Sequence, residues 1–108
     1  MKLKNSSGNF VEPGFKSFQA AAASGDFDPK KHFYLWLTNA PGRDAWPIAG
    51  ATFILLAREQ RDSNIKTVRF FDWAFKKGDD IAKRLIYVPL PDGLKDRIRK
   101  YWKDMGIY

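Results

Sequence analysis

The run Ala51 to Leu56, Ala-Thr-Phe-Ile-Leu-Leu, carries one weakly polar side chain and no charge, and it constrains the fold more than any other stretch. It is bounded by Gly50 before it and by Arg58, Glu59, Gln60, Arg61 and Asp62 after it. A run this short fits a strand covered on both faces, because a helix needs roughly 10 residues or more. Pro47 has no N–H and a fixed φ, so it stops a ladder from starting earlier and biases Trp46 towards an extended conformation. The expectation is a buried central strand entered through a rigid Trp46-Pro47 segment, with both residues as structural anchors.

A chain of 108 residues is one domain or part of one, and a compact body of that size buries about two-thirds of the surface of its unfolded chain. Hydrophobic residues make up 44% and aromatics 16%, which excludes global disorder. Cysteine is absent, so there is no disulfide framework or thiolate metal site, and periplasm and cytosol both stay open. The basic N-terminus lacks an apolar stretch behind it and does not read as a signal peptide. No segment approaches the length of a membrane span, so membrane insertion is not expected.

A net charge of +7 and a pI near 9.8 raise a second reading, a free-standing basic interaction domain that binds nucleic acid or an acidic protein. Distribution argues against it. Lysines and arginines run from Lys2 to Lys103, and many have acidic neighbours, as in Arg58 with Glu59 and Asp96 with Arg97; mixed charge of this kind is an ordinary solvated surface. No nucleic-acid partner is expected.

Ser6-Ser7-Gly8, between Lys2–Asn5 and Asn9–Val11, predicts a short hairpin. A helix from about Pro13 to Ser24 follows, with Phe15, Phe18 and Ala22 on one stripe, four alanines for close packing and Gly25 as terminator. Phe33 to Thr38 reads as a strand or crossover before the Asn39-Ala40-Pro41-Gly42 turn. A helix from about Asn64 to Lys77 carries Ile65, Val68, Phe71 and Phe75 on one stripe, with Phe71 as an anchor. Phe70 and Trp73 fall on the other side and require a second layer, in which Trp73 is a further anchor. Ser63 or Asn64 is its expected N-cap, and Gly78 ends it. A short helix from Asp79 or Asp80 and an extended Tyr87–Pro91 lead to a last helix from Asp92. Its buried stripe is Leu94, Ile98, Tyr101, Trp102 and Met105, with Trp102 as anchor, and Lys95, Arg99 and Lys103 line the opposite face. The absence of repeats or linkers makes residues 1–108 a single unit.

The inventory for catalysis is thin, with no nucleophile beside a positioned base, no metal-ligand spacing and no phosphate-cradling glycine loop, so no enzyme, cofactor or metal is expected. Asp79 and Asp80 are explained by helix capping, and His32, the sole histidine, by a loop surface.

Leu37-Thr38-Asn39-Ala40-Pro41-Gly42-Arg43-Asp44-Ala45-Trp46-Pro47-Ile48 closely resembles a signature of bacterial phosphate-binding proteins, the solute-capturing subunits of phosphate ABC transporters. The similarity continues through Thr52–Leu55, through Phe70-Phe71-Asp72-Trp73-Ala74-Phe75-Lys76-Lys77-Gly78 and into Tyr87–Pro91; upstream, Gly8–Pro13 and Phe18–Ala22 also match. It covers nearly the whole chain but only the family's C-terminal third. The resemblance implies an α/β class, the C-terminal portion of a type II periplasmic-binding-protein fold, and periplasmic location. It also implies a scaffold role in capture and delivery of inorganic phosphate, with the transporter permease as partner. The family's phosphate ligands lie upstream, and its Ser-Gly-Thr motif has no counterpart here, so no phosphate-binding residue is assigned to this chain. Phosphate binding is expected only in the full-length protein. In isolation the chain is expected to self-associate through Phe70, Trp73 and uncovered strand edges.

Overall fold

The computed structural model describes residues 1–107, and their contacts divide into two compact units, Met1–Thr52 and a second from Phe53 onward. The class is mixed and helix-rich. Its ladder is the two-stranded hairpin of β1 (Leu3–Lys4) and β2 (Phe10–Val11), paired antiparallel with Leu3 opposite Val11. Gly8 sits in the turn at φ +86, a conformation that costs glycine little because it has no Cβ.

In the first unit, α1 spans Phe15–Ser24 and starts two residues later than Pro13 suggests. Gly14 is the N-cap in an extended conformation, and its N–H donates to the Ser17 hydroxyl at 3.1 Å while that hydroxyl donates to the Glu12 carbonyl at 2.6 Å. Helix α1 therefore buries Ser17, Ala21 and Ala22 and leaves Phe15 exposed, rotated from the face its aromatics suggest. Gly25 ends the helix without positive φ; a Cβ there would stand 2.7 Å from the Leu35 side chain, so close packing selects glycine. A short 3-10 turn, Pro29–Lys31, is capped by Asp28. Phe33 to Thr38 then alternates strictly: Phe33 and Leu37 are buried, Tyr34 and Trp36 exposed, yet the segment joins no ladder.

The second unit packs α2 (Arg61–Lys77) against α3 (Asp79–Arg84) and α4 (Asp92–Asp104). Val68 on α2 and Leu94 and Trp102 on α4 are buried, and the Phe75 and Trp102 rings stack with centroids 5.8 Å apart. Helix α2 starts earlier than expected. Asn64 lies inside it, and its amide reaches back to the Ala57 carbonyl at 2.7 Å.

The buried central strand is not formed. Residues 51–57 have no regular structure, and Phe53, Ile54 and Leu55 are exposed, Leu55 at 91%. A strand exists only where neighbours accept its backbone groups, and the single ladder among the described residues is the hairpin at the other end of the sequence.

Candidate functional site

The residues that carry the motif between Leu37 and Ile48 are held by the hairpin turn. Asn5, buried, closes that turn through its Oδ1, which accepts from the N–H groups of Ser7 at 3.1 Å and Asn9 at 3.0 Å. Its Nδ2 faces the carbonyls of Gly42, Arg43 and Ala45 at 3.3, 2.6 and 3.3 Å. The hydroxyls of Ser6 and Ser7 donate to the carbonyls of Ala40 and Pro41 at 3.0 and 2.9 Å, and Asn9 Nδ2 donates to that of Arg43 at 3.2 Å. Four short polar side chains of one turn, Asn5, Ser6, Ser7 and Asn9, thus satisfy a loop that has no regular structure of its own, which is how an irregular backbone survives close packing.

Trp46 follows directly. It is buried, its ring stacks on Phe18 at 6.1 Å, and its N–H donates to the Ser17 carbonyl at 3.0 Å. Asn39, at φ 57, donates to the Pro47 carbonyl at 2.8 Å and closes the loop. Pro47 and Phe71 are half-buried, Trp102 is buried, and Trp73 is 52% exposed beside Phe70 at 58%.

In the second unit the polar centre is Asp72, 4% exposed, whose carboxylate accepts from Lys76 Nζ at 2.6 Å and Arg99 Nε at 2.8 Å. The Lys76 hydrogen bond, and then that of Arg99, holds the Asp72 carboxyl below its ordinary value against the opposing effect of burial. The carboxylate in turn pushes the Arg99 guanidinium up, so it stays charged. That guanidinium also lies 5.9 Å over the Phe75 ring.

Lys95 is 2% exposed. Its ammonium binds both Asp79 oxygens at 2.9 and 2.7 Å, the Phe75 carbonyl at 3.3 Å and Asp92 Oδ1 at 3.4 Å. A cation thus sits where α2 ends and α3 begins, satisfying a terminal carbonyl and the carboxylate that would otherwise cap the next helix.

The basic line Lys95, Arg99 and Lys103 is therefore corrected: Lys95 is interior, Arg99 is paired with Asp72 and Asp96, and Lys103 is exposed. Asp79 binds Lys95 rather than serving as a simple cap. The residues missed in the sequence had signals. Asn5 precedes a Ser-Ser-Gly turn, the place of an Asx turn. Asp72 lies four residues from both Val68 and Lys76, on the buried stripe, and Lys95 lies three residues before Ile98 and seven before Trp102.

Acidic residues occupy the first turns of α2, α3 and α4, namely Asp62, Asp79 with Asp80, and Asp92. The first turn of α1 holds none, since Glu12 lies outside the helix. His32 is exposed, at φ 54. Among the described residues no group of three or more His, Cys, Asp or Glu side chains is placed to hold a metal ion, and no helix is long and apolar enough to cross a membrane.

No family model matches the sequence. Curated proteins do. The chain is 42% identical over 102 residues to the phosphate-binding protein PstS of Xylella fastidiosa, covering 93% of this chain and 28% of that protein. It is 43% identical over 103 residues to PstS of Pasteurella multocida, covering 94% and 30%, and 39% identical over 105 residues to PstS of Haemophilus influenzae, covering 95% and 31%. Nearly all of this chain is thus the counterpart of a segment of these proteins, and it spans less than a third of their length.

Proposed function

We infer that this chain is the C-terminal part of a bacterial phosphate-binding protein, the substrate-binding subunit of a phosphate ABC transporter, and that it serves as scaffold rather than as ligand. The observation that carries the reading is similarity at 39–43% identity along 93–95% of the chain to proteins named for phosphate binding. The aligned block includes the Asn39–Pro47 loop, whose carbonyls are consumed by Asn5, Ser6, Ser7 and Asn9. In this reading the two compact units are shares of a two-lobed solute-binding protein of type II, periplasmic, which delivers phosphate to a permease.

The geometry supports scaffold over ligand. An anion site needs free N–H groups at a helix start, and three of the four helices here place a carboxylate in that turn, where it would repel phosphate. The basic interaction-domain reading is not favoured, since two cations of the line Lys95, Arg99 and Lys103 on the last helix are engaged by Asp72, Asp79 and Asp96.

A chimera tests the reading. The 103 aligned residues of the Pasteurella multocida protein are replaced by this chain, and phosphate is titrated calorimetrically at ~0.15 M salt into the chimera and into the chain alone. The chimera is expected to bind at a single saturable site and the chain alone to show none tighter than roughly 10 μM, about −7 kcal/mol. A folded chimera that binds no phosphate overturns the assignment, and a tight site on the chain alone overturns the scaffold role.

A further inference from the structure

The second unit carries a groove of about 450 Å³ where the first half of α2 meets the end of α4, lined by Arg61, Ile65, Arg69, Gly106 and Ile107. Arg61, Ile65 and Arg69 recur every four residues along α2 and stand in one row on its surface. Gly106, at φ +68, ends α4; its N–H donates to the Lys103 carbonyl at 3.0 Å and the Ile107 N–H to that of Trp102 at 3.0 Å. These two bonds close a Schellman turn, which fixes Ile107 beside the row and satisfies carbonyls at that helix end. Ile65 and Ile107 are half-buried, whereas both arginines are exposed. Among the described residues neither guanidinium has a hydrogen-bond or ion-pair partner. Lys76, Lys95 and Arg99 of the same unit all meet carboxylates. Asp62 follows Arg61 directly, yet adjacent helical positions diverge by ~100° and do not face each other.

We propose that this groove is the docking site for an acidic amphipathic helix of a partner protein, which lays an apolar side chain on Ile65 and Ile107 and sets a carboxylate against each arginine. Charge identifies the occupant. Arg61 and Arg69 are about 12 Å apart along the axis of α2 at 1.5 Å per residue, so two carboxylates roughly two turns apart on a facing helix meet both where they stand. One small anion reaches both only by drawing the two side chains together over Ile65, which brings like charges close and covers the apolar floor. Backbone chemistry selects a helix over an extended segment. The groove walls are a helix and a capped helix end, whose backbone groups are already bonded, so a segment with open N–H and C=O groups finds few partners there, while a helix satisfies its own. The surface belongs to α2, and it takes one shaped partner through two cations rather than a polyanion through many. It goes beyond the scaffold role and does not depend on it.

The probe is a fluorescein-labelled, end-capped helical peptide of alanine and glutamine, with two glutamates about two turns apart and leucines between them. Its anisotropy is followed on titration with this chain and with the chimera. Saturable binding to both is expected, weakened at least about tenfold when the glutamates become glutamines or when Arg61→Glu and Arg69→Glu are combined. A peptide with lysines in place of the glutamates is expected to bind the charge-reversed variant and not the parent. Lys100→Glu, on the exposed surface of α4, is expected to leave binding unchanged. A glutamine peptide that binds as well overturns the proposal, and since it leaves the protein unaltered, that outcome is independent of how the variants fold. Charge reversal without effect, or an equal loss in Lys100→Glu, overturns it in favour of diffuse attraction. Binding to the chain but not to the chimera overturns it by showing that the remainder of the protein covers the groove. Arginine-dependent binding of phosphatidylglycerol vesicles without binding of the peptide overturns it in favour of a lipid-facing surface. The chimera is scored here by peptide and not by phosphate, so failure of this inference and failure of the functional assignment are separable.

Discussion

Asp72 on α2 accepts a 2.8 Å hydrogen bond from Nε of Arg99 on α4, and Lys76, one turn further along α2, donates to the other carboxylate oxygen at 2.6 Å. The carboxylate is buried and both donors reach solvent. Replacing it leaves Arg99 over the Phe75 ring with only the exposed Asp96 carboxylate as counter-charge, so Asp72→Ala is expected to cost about 2–3 kcal/mol. Urea denaturation of the two proteins, read by far-UV circular dichroism, measures the difference.

The same carboxylate predicts a pH dependence. Its folded-state value lies below 3.8, so its contribution is complete above the unfolded value and is lost as pH falls through the folded one. Melting temperatures of the parent and of Asp72→Asn should therefore keep a constant gap from neutral pH down to about pH 4 and converge below it. A gap that stayed constant to about pH 2 would mean that the carboxylate is not held in its charged form by Lys76 and Arg99.

Asn5 uses both ends of its amide, and the two ends serve different segments. Asn5→Ala is expected to destabilise the first unit by about 2–3 kcal/mol, since the buried bond to the Ala45 carbonyl, the bond to the Arg43 carbonyl and the acceptor of the two turn amides are lost together. Asn5→Asp keeps the turn acceptor but sets a carboxylate against the carbonyls, so it should be no better than alanine. Amide exchange at Ser7 and Asn9 separates the two, rising in the alanine variant and staying slow in the aspartate one.

Trp46 fills the space behind that loop against Phe18. Trp46→Ala is expected to cost about 3–5 kcal/mol, enough to unfold a marginal unit. Loss of the cooperative thermal transition reported by the first unit's amides is the expected result, and a melt within a few degrees of the parent would contradict it.

Ile86 occupies the left-handed region at φ 63 while 83% exposed, and the Tyr87 N–H donates to the Ala82 carbonyl at 2.9 Å, closing α3 with a β-branched residue where glycine is usual. Ile86→Gly relieves roughly 1–2 kcal/mol of steric cost and returns part of it as unfolded-state entropy. A net gain near 0.5–1 kcal/mol is expected, read as a higher melting temperature.

Local signals carried the elements whose stability is local. Ser6-Ser7-Gly8 predicted the hairpin, Gly78 the end of α2, and the spacing of Leu94, Ile98 and Trp102 the face of α4, because turn chemistry and helical periodicity act within a few residues. Charge placement was settled by packing. Lys95 and Asp72 read as surface residues by type, yet a buried charge becomes tolerable once a partner arrives from another helix, and only the approach of α2, α3 and α4 supplies Asp79 to one and Arg99 to the other. The run Ala51 to Leu56 shows the same division from the opposite side. Its composition states what environment it needs, whereas a strand forms only when neighbouring backbones pair with it in a ladder, and among the described residues no ladder includes it.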